Sequence, residues 1–305
     1  MKPRVAIIGA GVSGLTCGVV LAEAGYETAI FAAEPPAETT SAVAAAMWFP
    51  YDAEPLEKVI AWALQSYEVF RELSRDPATG VSMIDLRTFS RGEELPIPLW
   101  AADFNARALS KTEFVMTVPL SDTSIYLGYL QKRFVAAGGK ITGGVRFKNP
   151  DDVSAEFDVV INCAGIGARR LVNDSDLEPH RGQVVLVKKL NLPGAVVCDD
   201  APLMYVIPRA NDCVLGGTNE HSDDLAPDPA TTAAIVAECC ATLKIAPPPI
   251  ITTRVGLRPF RKSGVRLELD RMVDGRPLIH NYGHGGSGFT LSWGCAENVL
   301  RLAIA

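Results

Sequence analysis

Apolar and polar positions along this chain follow two periods, and the switches between them outline the elements. Arg4 to Ile8 is a short apolar run of the kind buried in a parallel sheet, and it passes through a glycine turn into a helix predicted over Ser13 to Ala24. Gly25 ends that helix, and Glu27 to Phe31 predicts a second parallel strand. Strand, glycine turn, helix and strand make half of a doubly wound nucleotide fold. Pro35 and Pro36 stop the pattern. Amphipathic helices are predicted over Pro55 to Ser74 and over Asp122 to Ala137, the second closed by Gly138 and Gly139. Phe157 to Asn162 is another short apolar strand with a glycine turn and helix behind it. Alternation over Gln183 to Val187, Met204 to Pro208 and Cys213 to Gly217 predicts antiparallel strands. A helix over Thr231 to Leu243, a break at Pro247 to Pro249, a strand at Arg266 to Glu268 and a helix over Phe289 to Leu302 complete the chain.

The expected architecture is therefore α/β. A discontinuous, Rossmann-like nucleotide domain is built from residues 1–50, 140–180 and 251–305. A substrate domain on an antiparallel or mixed sheet, residues 51–139 and 181–250, is inserted into it. Ligands are expected in the crevice between the two.

Composition narrows the function. The chain has 305 residues, 48% hydrophobic and 21% charged, an ordinary globular profile. Its formal net charge of -6 argues against binding nucleic acid by broad electrostatics. The apolar run Val5 to Leu15 is broken by glycines, so neither a secretory signal nor a membrane span is expected. The seven cysteines include no CxxC pair, which suggests free thiols in a reducing cytosol. No His/Cys cluster points to a metal.

Gly9, Gly11 and Gly14 form GxGxxG between the first strand and helix, with Val12 and Ser13 inside it. Gly9 permits the tight turn, Gly11 lets backbone approach a pyrophosphate, and Gly14 lets helix pack on strand. The alternative is a structural glycine turn. The acidic residue that usually reaches the ribose hydroxyls is not at the end of the second strand. Glu34 either serves from a position or two later or is a solvated loop carboxylate. Thr39, Thr40 and Ser41 either contact the cofactor or cap a surface loop.

Two late phrases carry the most specific signal: VGLRPFRKSGVRLEL (Val255 to Leu269) and HNYGHGGSGFTLSWG (His280 to Gly294). Together with GAGVSGL, TTSAVAAAMWFPY at Thr39 to Tyr51, VVINCAGIGARRL at Val159 to Leu171, RGQV at Arg181 to Val184, and the stretch from YVIPR to LGGTNE across Tyr205 to Glu220, they resemble the D-amino-acid oxidase family, which includes D-aspartate oxidase, over nearly the whole chain. That resemblance implies an FAD-dependent enzyme that oxidatively deaminates D-amino acids. Hydride passes to flavin N5, oxygen reoxidises the flavin, and the products are a 2-oxo acid, ammonia and hydrogen peroxide. A D-aspartate or D-glutamate oxidase, or a flavin dehydrogenase with another electron acceptor, is the alternative.

The resemblance also implies roles. Arg258 in GLRP matches the arginine that clamps the substrate carboxylate, a task suited to the guanidinium fork. Tyr205 in YVIP matches the tyrosine that supports the same carboxylate, and the Gly286 carbonyl matches the acceptor for the substrate amine. His284, Gly285, Gly286, Ser287, Gly288, Phe289 and Thr290 match the loop around the isoalloxazine ring, with the terminal helix pointing its positive end at the ring. Ala46, Met47 and Trp48 belong to the segment that passes beside the flavin, where Trp48 is either pocket wall or core. Val145 would back the adenine, and Cys163, Ala164 and Gly165 would border the adenosine half. His284 reads as a scaffold residue rather than a base, since hydride transfer from a neutral amine needs none. Arg181 is either a salt bridge or a cofactor contact, and Arg266 either nears the flavin or pairs with Glu268. Acidic substrates would need a second cation, for which Arg209, Arg254 and Arg261 are the available residues; neutral D-amino acids are expected. Ala201 and Ser287 stand where mammalian relatives carry tyrosines, so the lid and one pocket wall should differ. The ending Ala303-Ile304-Ala305 is unlike the peroxisomal tripeptide of eukaryotic relatives, and a bacterial cytoplasmic enzyme, with a homodimer as the oligomeric expectation, is the reading.

Overall fold

The computed structural model describes residues 2–304. In chain order its strands are β1 (Arg4–Ile8), β2 (Glu27–Ala32), β3 (Val81–Phe89), β4 (Arg107–Ser110), β5 (Glu113–Ser121), β6 (Lys140–Gly143), β7 (Val159–Asn162), β8 (Leu177–Lys188), β9 (Ala195–Cys198), β10 (Met204–Pro208), β11 (Asp212–Gly216), β12 (Glu220–His221), β13 (Ile250–Arg261), β14 (Arg266–Arg271) and β15 (Pro277–Tyr282). The α-helices are α1 (Val12–Glu23), α2 (Thr40–Val43), α3 (Leu56–Leu73), α4 (Thr123–Ala136), α5 (Ala168–Leu171), α6 (Pro229–Leu243) and α7 (Gly288–Ile304).

One sheet is mostly parallel, in the order β14-β15-β7-β1-β2-β6, with β14 as its antiparallel edge. Its central strand β1 is covered on both faces, so Val5, Ala6 and Ile7 have no exposure and the run is continuously apolar. Helix α1 packs between the sheet, α4 and α7. The start and the end of the chain therefore share one core: Leu15 and Leu21 of α1 cluster with Leu291, Trp293 and Val299 of α7.

The second sheet holds nine strands in the order β12-β8-β11-β10-β9-β3-β5-β4, with β13 pairing along the other side of β8. Period two gives it distinct faces. Val185, Val187, Val196, Cys198, Met204, Val206, Cys213 and Leu215 point to one face and cluster with Ile235, Val236, Cys239 and Cys240 of α6. On the opposite face Gly182, Val184, Val197, Tyr205, Ile207, Gly256 and Arg258 line a cavity.

The segment carrying Arg258 was expected with the nucleotide half, in 251–305. Instead β13 runs antiparallel to β8 from Ile250 opposite Val187 to Arg261 opposite Leu177, within the second sheet. The expected strand Gln183 to Val187 is the second half of the longer β8, which pairs with β13 from Leu177 to Val187 on one side and with β12 and then β11 on the other. The long hairpin partners β3 and β5 pair in register from Val81 opposite Ser121 to Phe89 opposite Glu113.

Candidate active site

A cavity of about 570 Å³ runs along the carboxyl ends of β1, β2 and β7 and then under the inner face of the nine-stranded sheet. A volume of that size suits an organic ligand. At its first end β1 breaks at Gly9, whose φ of +111° suits glycine and whose missing Cβ leaves room for the Cys163 carbonyl. The chain then enters α1 with no side-chain cap on Gly11, so the helix presents free backbone N–H groups and its positive end to the cavity. Ser41 Oγ accepts one of them, the Val12 N–H, at 2.9 Å. The turn Cys163 to Gly167 lies alongside, and a Cβ at Gly165 would meet no atom within 4 Å. Glu34 lines the outer rim and pairs with Arg146, and the Val145 N–H is held by the Ala32 carbonyl at 3.0 Å.

The middle of the cavity is walled by Ala44 to Met47 and by His284 to Gly286 with Gly288 to Thr290 at the start of α7. Two helix N-termini thus open into one space. Hydrogen bonds fix this loop against its neighbours. His284 Nε2 donates to Asn281 Oδ1 at 3.0 Å, Asn281 Nδ2 donates to Cys17 Sγ at 3.2 Å, and Ser13 Oγ donates to the Asn281 carbonyl at 3.2 Å. Burial lowers His284 to about 4, so the ring is neutral at pH 7. Thr290 Oγ1 accepts from the Phe49 N–H and donates to the Phe49 carbonyl, and Ser287 Oγ does the same for Tyr51. Ser287 is fully buried in this tie, which makes it a clasp between loops rather than a pocket wall.

At the far end, Arg258 lies flat over Gly182, where a Cβ would sit 2.5 Å from Nη2. Its Nη1 donates to the Thr218 carbonyl at 2.9 Å and to Asn219 Oδ1 at 3.3 Å. Tyr205 stands beside it over Gly216, its Cα partner on β11. Burial raises the Tyr205 phenol, and Arg258 opposes that shift, so the hydroxyl keeps its proton at neutral pH. Tyr51 packs on Gly286, accepts from Asn219 Nδ2 at 3.1 Å, and is pushed up to about 12, mainly by burial.

The cavity gathers Gly9, Gly11, Val12, Ser13, Thr39, Thr40, Ser41, Ala46, Met47, Val145, Cys163, Ala164, Gly165, Tyr205, Arg258, His284, Gly285, Gly286, Gly288, Phe289 and Thr290 from segments scattered across the chain. Two residues expected with them are elsewhere. Trp48 is 2% exposed, donates to the Ala63 carbonyl at 3.0 Å, and sits edge-on to Tyr67, Trp100 and Phe104, so it is core. Gly14 lies behind the lining, where a Cβ would collide with the Gly9 carbonyl, and its part is to let α1 close on the turn. Arg181 is buried on the Asp224 and Ala226 carbonyls and Gln183, and Arg266 pairs with Glu268 and donates to Tyr282, so neither reaches the cavity. Tyr51, Asn219 and Asp199 escaped the sequence reading. Tyr51 and Asn219 lie inside the family-like phrases TTSAVAAAMWFPY and LGGTNE, but nothing in the linear sequence brings them to Arg258.

A glycine turn and two helix ends that can hold a dinucleotide, with an arginine–tyrosine pair at the opposite end, describe an enzyme that presents a small anion to a bound dinucleotide. The chain belongs to the FAD dependent oxidoreductase family, whose model matches residues 4–302. It is 40% identical to a D-amino-acid oxidase of Rubrobacter xylanophilus, covering 98% of this chain and 95% of that protein. It is 41% identical to a D-amino-acid oxidase of Streptomyces coelicolor, covering 98% and 96%. In fold it is similar to glycine oxidase from Geobacillus kaustophilus, with a TM-score of 0.81 at 18% identity over 99% of this chain and 95% of that one. FAD is thus the cofactor, and the free α1 N-terminus and the open space beside Gly165 fit it.

Proposed function

We propose that this chain oxidatively deaminates neutral D-amino acids, with oxygen as electron acceptor and a 2-oxo acid, ammonia and hydrogen peroxide as products. The relatives named D-amino-acid oxidase support the reaction class. The observation that carries the reading is Arg258 laid over Gly182 beside Tyr205 in the cavity whose lining also includes Gly286.

FAD, when bound, supplies the hydride acceptor and its reoxidation by oxygen. The chain's residues do the rest. Gly9, Gly11, Val12, Ser13 and Ser41 would hold the pyrophosphate, and Thr39 and Thr40 would border it. Val145, Cys163, Ala164 and Gly165 would hold the adenosine half, and Ala46, Met47 and His284 to Thr290 the ring. Arg258 binds the α-carboxylate through its fork, already aimed by Thr218 and Asn219. The Tyr205 hydroxyl donates to the same carboxylate, and the Gly286 carbonyl accepts from the amine. Together these three contacts fix the Cα–H direction, which is most of what a hydride transfer asks of the protein. His284 is neutral and engaged with Asn281, so it holds the loop and moves no proton.

Selectivity against acidic substrates follows from the cations. Arg209 is taken by Asp122, Asp212 and Thr123, Arg261 by Asp174, and Arg254 turns towards the Ala42 carbonyl. Arg258 and Arg146 are the lysine or arginine residues in the cavity lining, and Arg146 is paired at the opposite rim. We assign the six-stranded sheet to cofactor binding and the nine-stranded sheet to substrate. The buried free cysteines fit a reducing bacterial cytoplasm, and a homodimer is the assembly we propose.

A peroxide-release screen of the FAD-loaded protein against D- and L-amino acids tests the reading. Peroxide is expected from D-isomers and not from L-isomers. No release from any D-amino acid overturns it.

A further inference from the structure

The nucleotide end of the cavity is backed by thiols for which the reaction has no use. All seven cysteines are buried and free, and among the described residues Cys163 is the cysteine in the cavity lining. It opens the turn after β7, with its N–H held by the Ile8 carbonyl at 2.9 Å. Its Sγ meets Cys17 Sγ of α1, outside the lining, at 3.9 Å. Gly14, one turn earlier on the same face of α1, lies so close that a Cβ there would come within 3.4 Å of Cys163 Cβ. Asn281 Nδ2 donates to the same Cys17 sulfur at 3.2 Å and its Oδ1 accepts from His284, so the thiol pair is tied to the loop along the middle of the cavity.

We propose that Cys17 and Cys163 are a modification site, a dithiol that hydrogen peroxide closes to a disulfide when FAD leaves the cavity and that opposes the return of FAD until it is reduced. The inference rests on the reaction proposed above for the source of the peroxide, which arises in the same cavity. Cys163 sulfur attacks one peroxide oxygen, the O–O bond breaks, and the thiol proton leaves with the other oxygen as water, giving a sulfenic acid. Cys17 sulfur then displaces that hydroxyl, which carries off the Cys17 proton as a second water, and the S–S bond forms. Two thiols thus lose two electrons and two protons, and one peroxide becomes two waters. Contact with Cys163 and burial push the Cys17 thiol up, so it acts second, against a sulfur already beside it. Forming the bond draws the sulfurs about 2 Å closer. The Cys163 carbonyl has no room to follow, because it already lies 2.4 Å from where a Gly9 Cβ would stand. Closure therefore shifts the Gly9 turn or the start of α1, the parts assigned to the pyrophosphate. By linkage, the factor by which the disulfide weakens FAD binding is the factor by which FAD opposes the disulfide. A dithiol of this kind is reduced again in a reducing cytosol, where disulfides are transient.

The test treats the full-length protein, FAD-loaded and FAD-stripped, with hydrogen peroxide, then alkylates and digests it without reduction. Added peroxide makes the result independent of turnover, so its failure is distinct from failure of the peroxide-release screen. Mass spectrometry should find a Cys17–Cys163 linked peptide in the FAD-stripped protein, formed at least about fivefold more slowly in the FAD-loaded one. The oxidised protein should bind FAD at least about fivefold more weakly by fluorescence titration, and dithiothreitol should restore the affinity. Cys17→Ser and Cys17→Ala should each bind FAD equally before and after peroxide. Absence of the linked peptide overturns the inference, and so does a loss of FAD affinity as large in both Cys17 variants as in the wild type. Peptide mapping is done on the wild type, so a variant that fails to fold leaves its answer intact.

Discussion

Arg258 derives its usefulness from what surrounds it rather than from its own chemistry. Gly182 removes the side chain that would occupy its place, and Thr218 and Asn219 hold one edge of the guanidinium. The remaining N–H groups of this half-buried side chain are available to a carboxylate in the cavity. Arg258→Met should lower kcat/KM for D-amino acids by about 2–5 kcal/mol of transition-state stabilisation, read as peroxide release. Arg258→Lys should recover only part of that loss, because an ammonium lacks the fork. A Met variant within tenfold of wild type would remove Arg258 from the proposed site. At this scale the sequence was informative wherever a residue sat inside a dense phrase, as Arg258, Tyr205 and Gly286 do. It was silent on Asp199, an exposed carboxylate in an ordinary acidic pair that the fold brings to the cavity lining. It left Trp48 undecided, since an indole beside small residues serves equally as wall or core. Tyr67, Trp100 and Phe104, distant in sequence, decide for core.

Among the elements, the loop from Gly283 to Ser287 and the start of α7 act as one rigid unit. Gly285 has a φ of +52°, and a Cβ there would collide with the Asp52 carbonyl. Gly285→Ala should therefore cost at least about 1–3 kcal/mol, seen as a lower urea midpoint, and should loosen FAD retention because the same loop lines the cavity. Gly92→Ala, where a Cβ meets nothing within 4 Å, is the matched control and should leave the midpoint in place. A Gly285→Ala midpoint equal to the control's would mean that this close approach does not constrain the loop. Periodicity located the long helices and the short apolar strands well, because each signals its own burial. It shortened β8 and passed over β13. Arg181 and Gln183 of β8 are 4% and 0% exposed, yet their polarity reads as surface. Their partners are the carbonyls of Asp224, Ala226 and Asp228, some forty residues away. Gly256 and Pro259 likewise interrupt the local strand signal of β13, and the ladder with β8 supplies what the local sequence lacks.

For the whole molecule, acid sensitivity is a consequence of closing both ends of the chain over one site. His280 and His284 are 1% and 4% exposed, and burial lowers both from the usual 6.5 to about 4, with Arg266 adding to the effect at His280. Between those values the unfolded chain takes up protons that the folded chain refuses, so stability falls as pH drops from 6.5 towards 4. The loss amounts to about 2 kcal/mol per histidine at pH 5. Urea unfolding of wild type and His284→Gln at pH 7.5 and pH 5.0 checks this. The variant should lose about 2 kcal/mol less between the two, and parallel losses would count against it.

Sequence alone determined the α/β class, the nucleotide turn at Gly9 to Gly14 and the family phrases, because these depend on local period, on backbone freedom and on dense clusters of residues. Only the tertiary structure decided that β13 leaves the nucleotide sheet for β8, that Ser287 is a clasp, and that Asp199 faces the same cavity as Arg258. Those outcomes depend on which distant backbone and side-chain groups satisfy or fail to satisfy a polar atom, and burial of that kind belongs to the folded chain as a whole.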